Sequence, residues 1–330
     1  DMKPGLLIRE WVDLINRPDT DWLAVLMVII FLASCSGPKN NASPVEVSSG
    51  AVERLENFDT EFVTPRNVDV WLPEGYSAEK KYAVLYMHDG QMLFDSTTTW
   101  NKQEWGVDET MSELIDQGKI RDCIVVGIWN AGKERHSDYF PQKPFESLPQ
   151  NIRDSLMDEA RRQGEAKLFS TSVQSDNYIN FIVYELKNYI DYNYSTLRDR
   201  KNTFIAGSSM GGLISWYALC EFPDIFGGAA CLSTHWPGSF TAEDNPIPQA
   251  FVDYLGKNLP DPAIHKLYFD YGTETLDTMY EPFQQQVDSV MKAAGYTDEN
   301  WKTLKFEGAE HSEDSWKKRL HIPLTFLLEK

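Results

Sequence analysis

From residue 52 onward, short apolar runs alternate with longer segments in which apolar residues recur at helical spacing. Continuous apolar runs of this length are typical of strands buried on both faces of a sheet, and helical spacing indicates helices that pack on it. The predicted strands are residues 68–72, 82–87, 123–128, 203–206, 229–232, 266–270 and 303–306. The predicted helices are residues 107–117, 178–190, 210–220, 283–294 and 315–328. This order predicts an α/β fold of three layers, with a mostly parallel central sheet and helices on both faces.

A polar stretch over residues 131–174 interrupts this alternation. It contains three prolines and then a strongly charged run over residues 153–167. Insertions of this length often form a lid or the rim of a binding site, although a solvated excursion without a role has the same composition. The sequence leaves both interpretations open.

The N-terminal part of the chain differs from the rest. An apolar run over residues 23–34 ends at Cys35 and is shorter than the ~20 residues of a membrane span, so it suits the hydrophobic region of a signal peptide. Residues 32–35, Leu-Ala-Ser-Cys, resemble the bacterial lipobox, which implies lipidation of Cys35, export and a membrane anchor. Residues 1–22 are longer and more mixed in charge than a signal peptide requires, so a buried helix is the alternative.

The predicted domains therefore follow the composition. Residues 1–35 are a segment like that of a signal peptide or lipoprotein, and residues 36–51, rich in Ser, Asn, Gly and Pro, are a flexible tether. Residues 52–330 are one catalytic domain, because a chain of 330 residues with 42% hydrophobic content can bury a sizeable core.

Charge and cysteine content exclude some classes of protein. A formal net charge of −19 argues against nucleic-acid binding, which needs clustered Lys and Arg. The four cysteines include no Cys-x-x-Cys pair and no zinc-like spacing, so we expect no metal site. Three of them lie in apolar runs, where a thiol is usually a small buried hydrophobe.

The strongest chemical signal is Gly-x-Ser-x-Gly over residues 207–211. A predicted strand ends at residue 206 and a predicted helix follows Ser209, which is the strand-turn-helix setting of a nucleophile elbow. The turn is so tight that side chains at Gly207 and Gly211 would collide with the backbone. Ser209 also lies at a helix N-terminus, where backbone N–H groups favour developing negative charge. We therefore predict Ser209 as a nucleophile.

The partners of such a serine follow it in the order acid, then histidine. His311 lies in a loop between the last predicted strand and the last helix, where a general base belongs, whereas His265 and His321 are expected to be structural. The acid should follow the strand at residues 266–270. Asp277 and Glu274 both qualify by position; we favour Asp277 and keep Glu274 as the alternative.

An oxyanion hole needs two backbone donors. One should be the amide of Met210, which follows the nucleophile. The other should lie in the loop after the strand at residues 82–87, where Gly90 permits a tight bend and Gln91 is the predicted donor.

With these residues assembled, the chain resembles the putative-esterase family that includes esterase D, the enterochelin esterases and the family-one carbohydrate esterases. The shared pieces are residues 88–95, 207–212, 272–277, and 308–313 with Trp316. The resemblance implies an α/β-hydrolase fold, supports Asp277 as the acid, and implies a carboxylic-ester hydrolase. Such enzymes often act on acetyl or feruloyl groups of plant polysaccharides or on siderophore esters. By the same analogy, His235 and Trp236 would line the substrate pocket; a packed Trp is the alternative.

The resulting hypothesis is hydrolysis of a small or glycan-linked ester through an acyl-enzyme, without a cofactor or metal. Membrane contact would come only from the N-terminal lipid anchor, which would place the protein in the periplasm or on the cell surface. Two alternatives stay open: an acyltransferase that uses the same three residues, and a catalytically silent glycan-binding lipoprotein.

Overall fold

The computed structural model describes residues 45–160, 167–240 and 245–330. Within these ranges, a sheet of eight strands lies at the centre, in the order β1-β2-β4-β3-β5-β6-β7-β8. The strands are β1 Ala51–Phe58, β2 Arg66–Leu72, β3 Ala83–His88, β4 Cys123–Ile128, β5 Thr203–Ser208, β6 Gly228–Leu232, β7 Lys266–Gly272 and β8 Trp301–Phe306. Strand β2 runs antiparallel to β1 and β4, and the other neighbouring strands are parallel. The carboxyl ends of β3 and β5 to β8 therefore lie along one edge of the sheet.

Helices cover both faces of the sheet. They are α1 Val107–Asp116, α2 Arg135–Tyr139, α3 Gln142–Ser147, α4 Gln150–Glu159, α5 Ser175–Asn180, α6 Lys187–Asn193, α7 Met210–Glu221, α8 Ile247–Asn258, α9 Glu281–Ala293, α10 Glu313–Arg319 and α11 His321–Leu328. A π-helical segment, Phe181–Leu186, joins α5 to α6. Helix α7 is buried along nearly its whole length, which explains why it is apolar on all sides. Apolar side chains of the two sheet faces form separate cores, one under α7 and α8 and one under α1 and α11.

The seven predicted strands and the α/β fold are confirmed. Strand β1 was not predicted, because most of its side chains are exposed or half-buried and its pairing with β2 depends on the backbone. The helix predicted over residues 315–328 is two helices that meet at Leu320. Pro323 has no N–H to donate to the carbonyl group of Arg319, so a continuous helical ladder cannot form there.

The polar insertion at residues 131–174 is folded where the structure describes it. It places several aromatic side chains in the same core as the sheet, from its helices and from the segments beside them, among them Tyr139, Phe140, Phe145 and Phe169. Lys143 donates its backbone N–H to the Tyr217 hydroxyl group in α7. The insertion is thus part of the domain core as well as its surface.

Residues 45–50, which we call the strap, lie against the domain. The Val45 side chain is buried, the Ser48 N–H donates to Asp108 Oδ2 at 2.6 Å, and the Trp71 indole donates to the Ser49 carbonyl group at 2.9 Å. The predicted tether is therefore wrong over these residues, because its backbone groups have partners in the folded domain. Cys35 and the rest of residues 1–44 lie outside the described residues. No helix in the described ranges is long and apolar enough to cross a membrane.

Candidate active site

Ser209 occupies a strained turn between β5 and α7. Its backbone has φ 56° and ψ −119°, a conformation that L-residues rarely adopt outside constrained sites. A Cβ atom at Gly207 would lie 2.8 Å from the backbone of Gly211, so this turn requires glycine at that position. The Ser209 N–H donates to the Leu232 carbonyl group of the neighbouring strand at 2.9 Å. These contacts hold the serine at the edge of the sheet where the parallel strands end.

His311 and Asp277 form a hydrogen-bonded pair. His311 follows β8, Asp277 lies in the 3-10 helix Thr275–Met279 after β7, and Nδ1 of His311 lies 2.5 Å from Oδ1 of Asp277. Burial by itself would raise the pKa of Asp277, but hydrogen bonds from His311, Ser233 and the Gly272 N–H outweigh it and lower that pKa. The Asp277 carboxylate is therefore ionised next to the histidine.

Glu274, the alternative acid, is exposed. It contacts the loop before His311 through its backbone N–H, which donates to the Ala309 carbonyl group at 3.0 Å. Of the two sequence candidates, the structure pairs Asp277 with His311.

Tyr280 connects the serine to the histidine loop, and the sequence analysis missed it. Its hydroxyl group lies within hydrogen-bonding reach of the Ser209 side chain and 2.8 Å from Nδ1 of His235. Its ring lies edge-on to that of His311, with centroids 5.8 Å apart. Among the described residues, the structure shows no hydrogen bond between Ser209 and His311. In unliganded enzymes such bonds often tighten only when substrate binds.

Tyr280 and its hydrogen-bond partner His235 are both buried and uncharged. Burial raises the pKa of Tyr280 well above its ordinary value, so the phenol keeps its proton. Burial also lowers the pKa of His235 to about 3, which leaves its imidazole neutral. Ser209 therefore faces a neutral tyrosine–histidine pair on this side of the site.

The predicted oxyanion loop lies against the serine turn. It forms a short 3-10 helix, Gly90–Met92, with Gln91 half-buried. A Cβ atom at Gly90 would lie 2.4 Å from the backbone of Gly127, which explains the glycine. Met210 is the first residue of α7, where backbone N–H groups have no intrahelical partner.

Asp89, next to Gly90, ties the oxyanion loop to the insertion. It has a left-handed backbone (φ 58°), and its carboxylate accepts two hydrogen bonds of 2.7 Å from Arg135 and one from Asn130 Nδ2. Although Asp89 is buried, these partners hold its pKa below the ordinary value. Arg135 belongs to the insertion, so this segment contacts the site through a partly buried ion pair.

The two predicted pocket residues have different positions. The backbone N–H of His235 donates to the Ser209 carbonyl group at 3.2 Å, and its ring contacts Tyr280, so His235 lies beside the serine. Trp236 is only 1% exposed, stacks on Trp216, and donates its indole N–H to Gln284. The prediction that Trp236 lines the pocket is wrong, because its indole points into the core.

In the described ranges, no three His, Cys, Asp or Glu side chains are grouped so as to hold a metal ion. The chemistry available at this edge is that of a serine, a carboxylate-bound histidine, and two sets of backbone donors.

Comparisons with known proteins identify the family and the fold of the chain. The model of the family described as "Putative esterase" matches residues 60–322. The uncharacterized protein YbbA of Bacillus subtilis (strain 168) is 21% identical over 80% of this chain and 93% of its own length. An endo-1,4-beta-xylanase/feruloyl esterase of Xylanibacter ruminicola is 25% identical over 83% of this chain, which covers 31% of that longer protein.

A solved structure shares the fold. The ferulic acid esterase of Anaeromyces mucronatus superimposes with a TM-score of 0.56 at 17% identity, over 88% of this chain and 94% of that one. At this level of identity, the likeness establishes the α/β-hydrolase fold.

Proposed function

The chain belongs to the putative-esterase family and is an ester hydrolase, and we propose that it cleaves carboxylic esters through an acyl-enzyme on Ser209. His311 is the general base and Asp277 the acid of this proposed triad. The observation that carries the proposal is the short His311–Asp277 hydrogen bond at the sheet edge that also holds the strained Ser209 turn. Tyr280 lies between the two parts.

The proposed cycle begins with the tautomer of His311. Because Nδ1 donates to Asp277, the lone pair of the neutral ring is on Nε2, where it can accept the Ser209 proton. Ser209 Oγ then attacks the ester carbonyl carbon, and the alcohol leaves with the proton that His311 holds. A water molecule that His311 deprotonates attacks the acyl-enzyme, and the collapse of that intermediate releases the carboxylic acid and restores Ser209.

We assign the oxyanion hole to the backbone amides of Met210 and Gln91. Support comes from the free first turn of α7 and from the position of the Gly90–Met92 helix. The Cβ atom of His88 lies 3.4 Å from the position that a Cβ atom at Gly211 would take, so the two donor segments are adjacent. Each such donor typically contributes about 10²–10³-fold to kcat.

For the substrate, we propose esters of aromatic acids such as ferulate. The feruloyl esterase relative of Xylanibacter ruminicola and the ferulic acid esterase of Anaeromyces mucronatus support this class. Phe240, whose ring lies 5.5 Å from that of His235, is 39% exposed and offers an apolar surface beside the site. Acetyl esters and siderophore esters are the alternative substrates against which ferulate esters are tested.

The test measures hydrolysis of p-nitrophenyl acetate, methyl ferulate and a siderophore ester by the wild type, Ser209→Ala and Ser289→Ala. Ser289 is exposed on α9 and serves as the matched serine control. We expect loss of activity and of fluorophosphonate labelling only in Ser209→Ala, and the highest kcat/KM for methyl ferulate. Equal activity of Ser209→Ala and wild type would refute the nucleophile; a preference for acetate would refute the substrate class.

We further propose that Cys35 carries a lipid and anchors the exported protein in a membrane. The support is the apolar run followed by Leu-Ala-Ser-Cys at residues 32–35. Expression in a bacterial host with labelled palmitate should label the wild type and not Cys35→Ala. Equal labelling of the two proteins would contradict the proposal.

A further inference from the structure

Ser233 is a buried serine directly after β6, on the far side of the Asp277 carboxylate from His311. Its backbone has φ 42°, a left-handed conformation that is costly for a residue other than glycine. Its N–H donates to the Asp270 carbonyl group at 2.9 Å, which fixes the backbone. Neither the fold nor the proposed triad requires a serine here, so its side chain calls for an explanation.

The Ser233 hydroxyl group has three partners. Oγ lies 2.6 Å from Asp277 Oδ2, 3.0 Å from Trp316 Nε1 and 2.9 Å from Arg319 Nη2. An indole and a guanidinium carry only donors, and a guanidinium does not lose its proton in proteins. Both lone pairs of Oγ are therefore occupied, and the single hydroxyl proton is left for Asp277.

The Asp277 carboxylate is consequently held at both oxygens. Oδ2 accepts from the Ser233 hydroxyl group and from the Gly272 N–H, each at 2.6 Å, while Oδ1 faces His311. These two bonds orient the carboxylate and stabilise its ionised form. Asp270 neutralises the buried charge of Arg319 through contacts of 2.9 and 3.1 Å, so the donor to Ser233 is itself fixed.

We propose that Ser233 is a positioning residue for the hydrolysis reaction, with a hydroxyl group that Trp316 and Arg319 force to donate to Asp277. This inference rests on the proposed triad. Loss of the hydroxyl group leaves the Gly272 N–H as the remaining donor to Oδ2 among the described residues, so the carboxylate is held less firmly towards His311. The support for the imidazolium in the transition state is then weaker. The expected cost falls on kcat, since Ser233 is fully buried and does not reach substrate.

The experiment compares Ser233→Ala with Ser233→Gly, using the ester that the wild type cleaves. Both substitutions remove the hydroxyl group, but glycine also relieves the strain of φ 42°. We expect both variants to lose roughly 10- to 100-fold in kcat at nearly unchanged KM. The downfield proton resonance of His311 Nδ1–H should move upfield in both.

Ser137→Ala is the matched control, because Ser137 is also fully buried and donates to a backbone carbonyl group in the insertion. Its kcat should stay within twofold of the wild type. Wild-type kcat in Ser233→Gly, with a defect only in Ser233→Ala, would overturn the proposal and assign Ser233 a backbone role. Failure of the triad itself would appear differently, as full activity in Ser209→Ala.

Discussion

At the scale of single residues, the candidate site contains both an ionised carboxylate and buried neutral histidines. Asp277 is the ionised partner of His311, whereas His88 and His235 are buried and neutral, each with its pKa lowered to about 3 by burial. Neither of these histidines can gain a proton in the range where an ester hydrolase works. Proton transfer in the proposed mechanism is therefore assigned to His311, which is half-buried.

Asp277→Asn tests the assignment of the acid. The amide cannot stabilise the imidazolium and favours the wrong tautomer of His311, so kcat should fall by roughly 10³- to 10⁴-fold. Glu274→Gln, which changes an exposed carboxylate three residues away, should keep kcat within twofold. Steady-state kinetics on one ester decides between them, and a larger loss in Glu274→Gln would reverse the assignment.

Tyr280→Phe tests the contact between the phenol and the serine. Removal of the hydroxyl group leaves His235 Nδ1 without its partner and frees the Ser209 side chain, so we expect kcat to fall by about tenfold. Tyr296→Phe is the matched control, because that buried hydroxyl group bonds the Pro260 carbonyl group away from the site. Equal kcat in the two variants would show that Tyr280 serves only packing.

Three site residues could be predicted from the order of strands and helices along the chain. Ser209, Asp277 and His311 each follow a strand whose apolar pattern is clear, so the common edge of a parallel sheet brings them together. Tyr280 and Ser233 carry no such signal, because their contacts depend on how loops from different strands pack. Trp236 shows the same limit: neither its place shortly after a predicted strand nor the family analogy indicated which way its indole points.

At the scale of elements, the β5–α7 turn concentrates the steric demands of the site. Strand β5 was predictable because it is buried on both faces, whereas β1 was not, because its pairing depends on backbone hydrogen bonds at the edge of the sheet. The helix that follows Ser209 fits closely against the segment after β6, because a Cβ atom at Gly212 would lie 2.8 Å from Thr234 Oγ1. The turn therefore has little room to adjust.

Gly207→Ala should lower both stability and activity. The new methyl group would lie 2.8 Å from the Gly211 backbone, so the turn must shift, at a cost of about 1–3 kcal/mol and with displacement of Ser209. Gly256→Ala in α8 is the control, since its nearest contact is 3.7 Å and alanine favours the helix by about 0.5–1 kcal/mol. Chemical denaturation measures the stability of each variant, and ester hydrolysis measures its activity. Unchanged activity in Gly207→Ala would contradict the predicted displacement of Ser209.

At the scale of the whole molecule, the strap joins the start of the described domain to helix α1 and strand β2. Asp108 is fully buried at the start of α1, where it accepts the Ser48 N–H. Burial raises its pKa to about 7, and the neighbouring Glu109 adds to this. Between about pH 4 and pH 7 the folded protein therefore holds a proton that the unfolded chain has released, and the free energy of unfolding falls as pH rises.

Asp108→Asn should remove this pH dependence. An asparagine is neutral throughout, still accepts the Ser48 N–H, and carries no charge to desolvate. Relative to the wild type, the unfolding free energy of the variant should therefore rise as the pH increases from 4 to 8. Asp116→Asn is the control, because it removes an exposed charge from the same helix and should leave the pH dependence of stability unchanged. Parallel stability curves for the wild type and Asp108→Asn would contradict the prediction.

The contacts of the strap also limit where a shortened form of the domain can begin. A truncation that begins at Val52 deletes the donor to Asp108, the acceptor of the Trp71 indole and the buried Val45 side chain. Each loss leaves a buried polar group or an apolar surface without cover, and such defects typically cost about 1–3 kcal/mol apiece. Expression of the catalytic domain alone therefore calls for a first residue at or before Val45, and a version that starts at Val52 is expected to aggregate during purification.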